Sequence, residues 1–548
     1  MRDETQTPEA PAAPQRKLTP ANENPWYVLM TLYGEQEGEK VDWDLHDRNA
    51  GLWNAYLSNS VSSKARDQAA FLFPKVPPRD AHHLARKEVR KLFTREYILR
   101  NGREYRSHEP PDPGEPIDLR GVHFRRTFCA SQMFLPKVCE FGKSQFERGL
   151  EAERSVFEKG LICDEIVSNG TSSFSNSYFG GDVSLDDCVF EEGLSLEGAD
   201  VTGLFSARRI SVCKSFSAEG VKFRGKADFD RAEFFQASFW NAQFLSESEF
   251  VAVKFMGHSE FGRSKFEMNA DFQQCEFELG AAFSATEFLG EACFRAAVFE
   301  NAVSFTTGKF CSRAEFGEVK FLGASPQNTL PGTVLGEVRF ESVDFQAPVN
   351  FGYAQFVHEY PQFVGATFEQ QVSFSADAEN WPRRTTQCFL QAKESCATIR
   401  HLLAKQGLPE DEHFFFRREM HFAGKIGPIW QRLPYLLFGL FSEYGYSILR
   451  PTLWLLGVWA LGFAAFWGYF SGCCVPAPDS VIERPMGSAM ALSFSNLFPL
   501  FGFGRTFLLE ELKALPAVLQ FFSGVQTVAS LPLLFFLGLG LRQRFRLR

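Results

Sequence analysis

Between Phe244 and Phe321 a phenylalanine stands at fifteen stations spaced alternately six and five residues apart: Phe244, Phe250, Phe255, Phe261, Phe266 and so on to Phe310, Phe316 and Phe321. Two residues before each lies a small or β-branched residue, from Ala242, Ser248 and Val253 to Gly308, Ala314 and Val319. Phe supplies 61 of the 548 residues, far too few to fill fifteen fixed stations by chance. An α-helix does not give this period, because turns of 3.6 residues scatter the stations around the axis. An ordinary half-buried strand fails as well, since it places apolar residues at every second position. What remains is a solenoid that turns a corner every five or six residues, each short side sending one Phe and one small residue inward.

The same register runs back from Phe234 through Phe229, Phe223, Ala218, Val212, Ala207, Val201 and Leu196, then through Phe174, Ser168, Cys163 and Phe157 to Phe124 and Leu119. One residue is lost between Phe234 and Phe244, and Gly323–Gly336 reads as a surface loop from its Pro, Gly, Asn and Thr. Pairs resume at Phe340/Phe345, Phe351/Phe356 and Phe368/Phe374, so the array spans about 117–376. Two unequal sides make eleven residues and four make 22, which sets one coil as four sides. With strands stacked roughly 4.8 Å apart, eleven or twelve coils give a rod on the order of 55 Å long, its Phe rings stacked into internal ladders.

Stretches such as Ala270-Asp-Phe-Gln-Gln and Ala314-Glu-Phe-Gly-Glu carry a small–x–Phe–x–x unit, and residues 117–376 resemble the pentapeptide-repeat family, in its Phe-rich branch with alternating five/six spacing. The resemblance implies an all-β right-handed quadrilateral β-helix and a bacterial setting. It implies little about function, although some soluble members mimic DNA and protect topoisomerases.

The array holds 36 Asp and Glu against 23 Lys and Arg, a net of −13, whereas the remainder of the chain is slightly basic at +4. A rod of that charge is not expected to bind nucleic acid directly, though it is compatible with mimicking it. The twelve cysteines form no paired C-x-x-C, and several within the array (Cys139, Cys163, Cys188, Cys213, Cys275 and Cys293) read as small packing residues of a reduced compartment. Residues 1–24 read as a polar, Pro-rich tail without the apolar segment of a signal peptide. Residues 25–116 read as an N-terminal cap, with a strand-like run at Trp26–Tyr33 and a basic helix over Asp80–Arg100 that places Leu84, Val89, Leu92, Phe93 and Leu99 at helical spacing. A solenoid needs such a cover over its open end. Neighbouring His82 and His83 point about 100° apart on a helix and read as surface residues. After the rod, 377–430 is a helical linker with helices over Thr385–Lys405 and Pro409–Gly424, and Arg417-Arg418-Glu419 reads as a solvated face.

Residues 431–548 read as a membrane domain. Uncharged runs at 451–474 and 518–541 are each long enough to cross a hydrocarbon core of about 30 Å. Arg432 and Arg450 precede the first, and Arg542, Arg544, Arg546 and Arg548 follow the second, so both basic flanks are expected in the cytoplasm. The result is a multi-pass hairpin with both termini cytoplasmic, and the family resemblance implies that its membrane is a bacterial inner one. Tyr435–Phe441, with Trp430, reads as an interfacial stretch. Between the spans, a short apolar helix at Ala489–Phe498 precedes Gly502, Phe503, Gly504 and Arg505. Span, short helix, Gly-aromatic-Gly and span is similar to the order of a two-span potassium-channel pore, where loop carbonyls replace the ion's hydration shell. No Thr-Val precedes Gly502, however, and Arg505 at the mouth repels cations.

No Walker loop, G-x-S-x-G or H-E-x-x-H motif is present, so no catalysis, cofactor or metal is expected. The favoured reading is a membrane-anchored scaffold whose acidic rod meets a cytoplasmic protein partner, with membrane lipid as its other partner and homo-oligomerisation through the hairpin as an option. A pore with the rod as its regulatory domain is the alternative, and a DNA mimic the third.

Overall fold

Of the 548 residues, the computed structural model describes 17–38, 40–73, 76–102, 109–323, 337–472, 484–499, 506, 508–513 and 515–545. They divide into two units, one ending at Thr386 and one beginning at Gln387. The first unit is built around a parallel β-solenoid of about eleven turns. Its strands are mostly two residues long and pair one coil apart: Phe255 with Phe277, Phe277 with Phe299 and Phe299 with Phe321, a step of 22 residues. Four strand columns result, beginning at Ile117, Val122, Phe128 and Phe134. Two of them merge where Ser211–Ser217 and Glu233–Ser238 run round a corner unbroken. Along a column the rings stack nearly flat, with Phe255 and Phe277 4.8 Å apart and Phe277 and Phe299 4.7 Å apart. Across the interior they meet edge to face, as Phe261 meets Phe272 at 5.4 Å and 88°. Both are favoured geometries for aromatic quadrupoles.

The alternation of five and six has its origin in the corners. The five-residue sides, apart from the shortened one between Phe234 and Phe239, contain a residue in the left-handed region, as at Arg263 (φ 57°), Gln274 (φ 58°), Ala285 (φ 57°) and Ala296 (φ 56°). In these turns the Phe carbonyl accepts from the N–H three residues on, as Phe283 accepts from Thr286. Most six-residue sides turn without a positive-φ residue, Gly149 (φ 91°) and Gly160 (φ 106°) being exceptions. Where the small side chain after a left-handed corner carries a donor, it can have a further task. Ser155, Ser177, Cys188, Cys275 and Thr286 each donate to the carbonyl 25 residues earlier, at 2.7 to 2.9 Å. Cys139, Cys163, Cys188 and Cys275 are buried as expected, but Cys213 is exposed. Burial pushes the Cys139, Cys163, Cys188 and Cys275 thiols well above their ordinary range, which makes them unreactive.

Where a station holds a small residue, the large one moves two positions back. Ala130, Ala152, Cys163, Ala207 and Ala218 are accompanied by Phe128, Leu150, Leu161, Phe205 and Phe216, all buried. Most sides therefore carry one large and one small inward residue in either order, while a few, such as Met133 with Leu135 and Leu194 with Leu196, hold two aliphatic ones. The lost residue is a register shift: Val212 pairs with Phe234, but Ser215 pairs with Gln236. The loop expected at Gly323–Gly336 lies outside the described residues beyond Gly323. On its far side Phe310 pairs with Phe345, so thirteen residues are added without loss of register. Phe363 also enters the ladder, stacked 5.3 Å from Phe340. At the last coil Trp381 stacks on Phe356 at 4.9 Å and donates to the Ser375 carbonyl.

Among the described residues four α-helices precede the solenoid: α1 (Pro25–Met30), α2 (Trp43–Leu57), α3 (Ser63–Leu72) and α4 (Ala81–Asn101). The strand expected at Trp26–Tyr33 is therefore a helix. Asn24 accepts from the Trp26 and Tyr27 N–H groups and Pro25 opens the first turn, which is a stronger local instruction than a short apolar run. Thr19 and Pro20, placed in the polar tail by composition, pair with Val122 and His123 of the first coil. From α2, Trp53 donates to the Phe134 carbonyl at 2.7 Å, while Asn54 donates to the Gln132 carbonyl and accepts from the Phe134 N–H, both at 2.8 Å. Those groups belong to the first coil, where no earlier coil exists to satisfy them. The α3 segment covers a side of the solenoid instead, with Val61, Ala65, Ala69 and Phe73 packed on Phe134, Val156 and Tyr178. On α4 the buried stripe is Ala85, Val89, Phe93 and Tyr97, and Leu84 and Leu99 are exposed. His82 is half-buried rather than free at the surface, its Nδ1 against the Tyr56 carbonyl.

The second unit is helical: α5 (Phe389–Gln406), α6 (Pro409–Ala423), α7 (Ile429–Ser442), α8 (Leu449–Phe470), α9 (Pro485–Leu497), α10 (Leu509–Lys513) and α11 (Ala517–Phe545). Helices α8 and α11 are long and apolar enough to cross a membrane. Glu419 is buried and bonded to Arg400 at 2.7 Å, so the 417–419 cluster is not a solvated face.

The two-place packing rule makes a testable exchange. Ala218→Phe overfills a side already holding Phe216 and should cost about 1–3 kcal/mol. Phe216→Ala empties it and should cost about 3–5 kcal/mol. The double variant recreates the order of the next coil, Ala237 and Phe239, and chemical denaturation should find it more stable than Phe216→Ala alone.

Candidate functional site

Gly502, Phe503, Gly504 and Arg505 lie outside the described residues. The structure does show a buried polar cluster among the helices on either side of them. Ser493 and Asn496 are three residues apart on α9, and Ser523, Gln526 and Ser530 are spaced by three and four on α11, so each set occupies one helix face. All five are buried. The Asn496 amide donates to Ser523 Oγ at 2.8 Å and to Gln526 Oε1 at 3.0 Å. Gln526 Nε2 donates to Ser493 Oγ at 2.7 Å and reaches the Val458 carbonyl of α8 at 3.2 Å. Ser493 donates to the Trp459 carbonyl at 2.7 Å, and Ser530 to the Asn496 carbonyl at 3.3 Å. Three helices are thereby tied by neutral amides and hydroxyls.

Gly462 makes the approach possible. A Cβ there would lie 2.4 Å from Gln526 Nε2 and 2.6 Å from Ser493 Oγ. The outward faces are the reverse of the interior: Leu453, Leu456 and Leu461 on α8, and Val518, Phe521 and Phe535 on α11, are all exposed. The spacing of Ser493/Asn496 and Ser523/Gln526/Ser530 inside apolar runs was a readable signal that the sequence analysis passed over. The cluster contains no titratable group and its serine hydroxyls are engaged in bonds to amides and carbonyls, so what it shows is hydrogen bonding between helices.

A charged joint lies at the start of α8. Glu443 accepts from Arg417 of α6 at 3.0 Å and lies 3.6 Å from Arg450. The Arg417 guanidinium also stands 4.8 Å from the Tyr446 ring centre. The α7–α8 turn holds Glu443, Tyr444 and Gly445 successively at positive φ (52°, 57° and 81°), with Gly445 N–H donating to Ser442 Oγ. His413, its ring 5.4 Å from that of Tyr446 and tilted to it by 57°, is held below its ordinary pKa by burial, with the Arg417 charge adding to the effect. Among the described residues no group of three or more His, Cys, Asp or Glu is placed to hold a metal.

No family model, curated protein or solved structure matches the chain.

On the solenoid, Glu151 and Glu359 are pushed up to about 7, first by burial and then by Glu153 and Glu337 respectively. Both stand above the ordinary 4.5, so the folded chain binds protons the unfolded chain has released and loses stability as pH rises from 4.5 through about 7. Replacing both by Gln should shrink the difference between denaturation midpoints measured at about pH 5 and about pH 8.

For the helical cluster, Gln526→Leu removes bonds to two helices and should destabilise by about 1 kcal/mol, the scale of a polar contact between apolar helices. Gly462→Val should cost more, because both nearby polar side chains must move. Thermal unfolding of the protein in detergent micelles orders the two variants.

Proposed function

We propose that the chain is a membrane-anchored pentapeptide-repeat scaffold, a right-handed quadrilateral β-helix closed by an N-terminal cap and held at the cytoplasmic face of an inner membrane by the α8–α11 hairpin. The inverted polarity of the second unit carries the anchor reading. Buried Ser, Asn and Gln surrounded by exposed Leu, Val, Phe and Trp is costly in water and suited to hydrocarbon, where polar side chains need one another and apolar ones need nothing further.

The scaffold role draws on the rod's surface. Some of its charges are paired between coils, with Arg209 on Asp187 and Lys214 on Glu192, each at 2.6 Å. That supports a stiff, regular surface offered to a cytoplasmic protein partner, without catalysis. A second reading, the pore, draws on α9, which packs against both α8 and α11 as a pore helix between two spans would.

Reporter fusions after Arg484 should be active only outside the cytoplasm, and fusions after Lys405 and Arg544 only inside it. A fusion active outside after Arg544 defeats the hairpin. Reconstituted in liposomes, the protein should carry no selective cation flux. A potassium-selective flux lost in Gly502→Ala would replace the scaffold with the pore.

A further inference from the structure

We infer that α7 and the turn that follows it form a docking surface for anionic phospholipid. This rests on the membrane reading above and names the lipid. Helix α7 is fourteen residues, about 21 Å long, too short to cross a bilayer. Its inner face is occupied: Phe438 meets Phe536 of α11 at 5.5 Å and Phe441 meets Trp454 of α8 at 5.2 Å. Its outer face is bare. Ile429, Leu433, Leu436 and Leu440 form one exposed stripe at helical spacing, with Trp430 beside it, 83% exposed. The apolar surface continues onto Leu449 and Leu453 of α8. A short helix with one face packed on two candidate spans and the other apolar lies along an interface.

Charge selects the lipid. Glu443 is the sole carboxylate between Glu419 and Asp479, whereas Lys425, Arg432 and Arg450 fall in the same stretch. Arg417 and Arg450 both turn to Glu443, so two guanidiniums share one carboxylate. Arg417 Nε is buried without a hydrogen-bond partner. At the far end of α11, Arg542 and Arg544 are exposed and add to the excess. A lipid phosphodiester offers the half-exposed Arg450 and its neighbours a second anion beside Glu443, since guanidinium binds phosphate through paired N–H donors. The strained turn keeps Glu443 between the two arginines, and this carboxylate competes with the phosphate for them.

The full chain in lipid nanodiscs tests this through Trp430, whose emission is isolated as the difference between the wild type and Trp430→Phe. Brominated phosphatidylglycerol in a phosphatidylcholine disc should quench it about fivefold more effectively than brominated phosphatidylcholine at the same mole fraction in an otherwise equal disc, the preference that roughly 1 kcal/mol per surface arginine provides. Arg450→Gln should reduce the preference. Glu443→Gln should raise it by freeing both arginines, a gain that misfolding does not produce. Inorganic phosphate should leave it unchanged, and its loss on adding phosphate overturns the assignment to lipid. Equal quenching by both lipids overturns the proposal while leaving the membrane anchor standing. Quenching of the α8 tryptophans but not Trp430 means that a protein surface, such as a second copy, covers α7, and also overturns it. If no tryptophan is quenched by either lipid, the membrane reading itself fails.

Discussion

The interior of the solenoid is, through its Phe-rich coils, one large side chain and one small side chain wide on each side, and most of the first unit follows from that width. Rings stacked less than about 5 Å apart leave no room for a second aromatic, so the neighbour shrinks to Ala, Ser, Cys or Val. The pair is what matters, not its order, which is why Phe216 with Ala218 serves as well as Ala237 with Phe239. Polar atoms enter only where they repair the backbone, as the Ser177 hydroxyl and the Cys188 thiol do by donating to carbonyls of the preceding coil.

The solenoid period was legible because it is repeated many times and each repeat faces the same steric test. Positions where the test was met in reverse order were harder to read, and Phe216 and Phe205 were passed over for Ala218 and Ala207. The packing of α3 also left a trace: Phe134, Val156 and Tyr178, 22 residues apart, are apolar at the outward place that Asp200, Lys222 and Lys265 fill in other coils. The six residues of α1 were misread, since so short an apolar run has no period of its own and only Asn24 and Pro25 give it direction.

In the second unit the apolar lengths of α8 and α11 were plain, while the connections that organise them were not. Arg417 finds Glu443 across 26 residues and Asn496 finds Gln526 across 30, pairings decided by how helices meet rather than by local sequence. The glycine–aromatic loop remains a reading of residues alone, since Gly502, Phe503, Gly504 and Arg505 fall outside the described chain.

The left-handed corners bear on how such a chain can change over time. Eighteen of them in the solenoid are occupied by residues other than glycine, including Arg154, Ala252, Ala296 and Tyr353. Each such residue with a Cβ costs about 1 kcal/mol or more relative to glycine in that conformation. The rod thus carries unused thermodynamic headroom, spread evenly along its length and held at positions that face outward. A lineage can spend that reserve to absorb destabilising changes elsewhere on the surface, so its exterior is free to diverge in sequence while the internal stack stays the same.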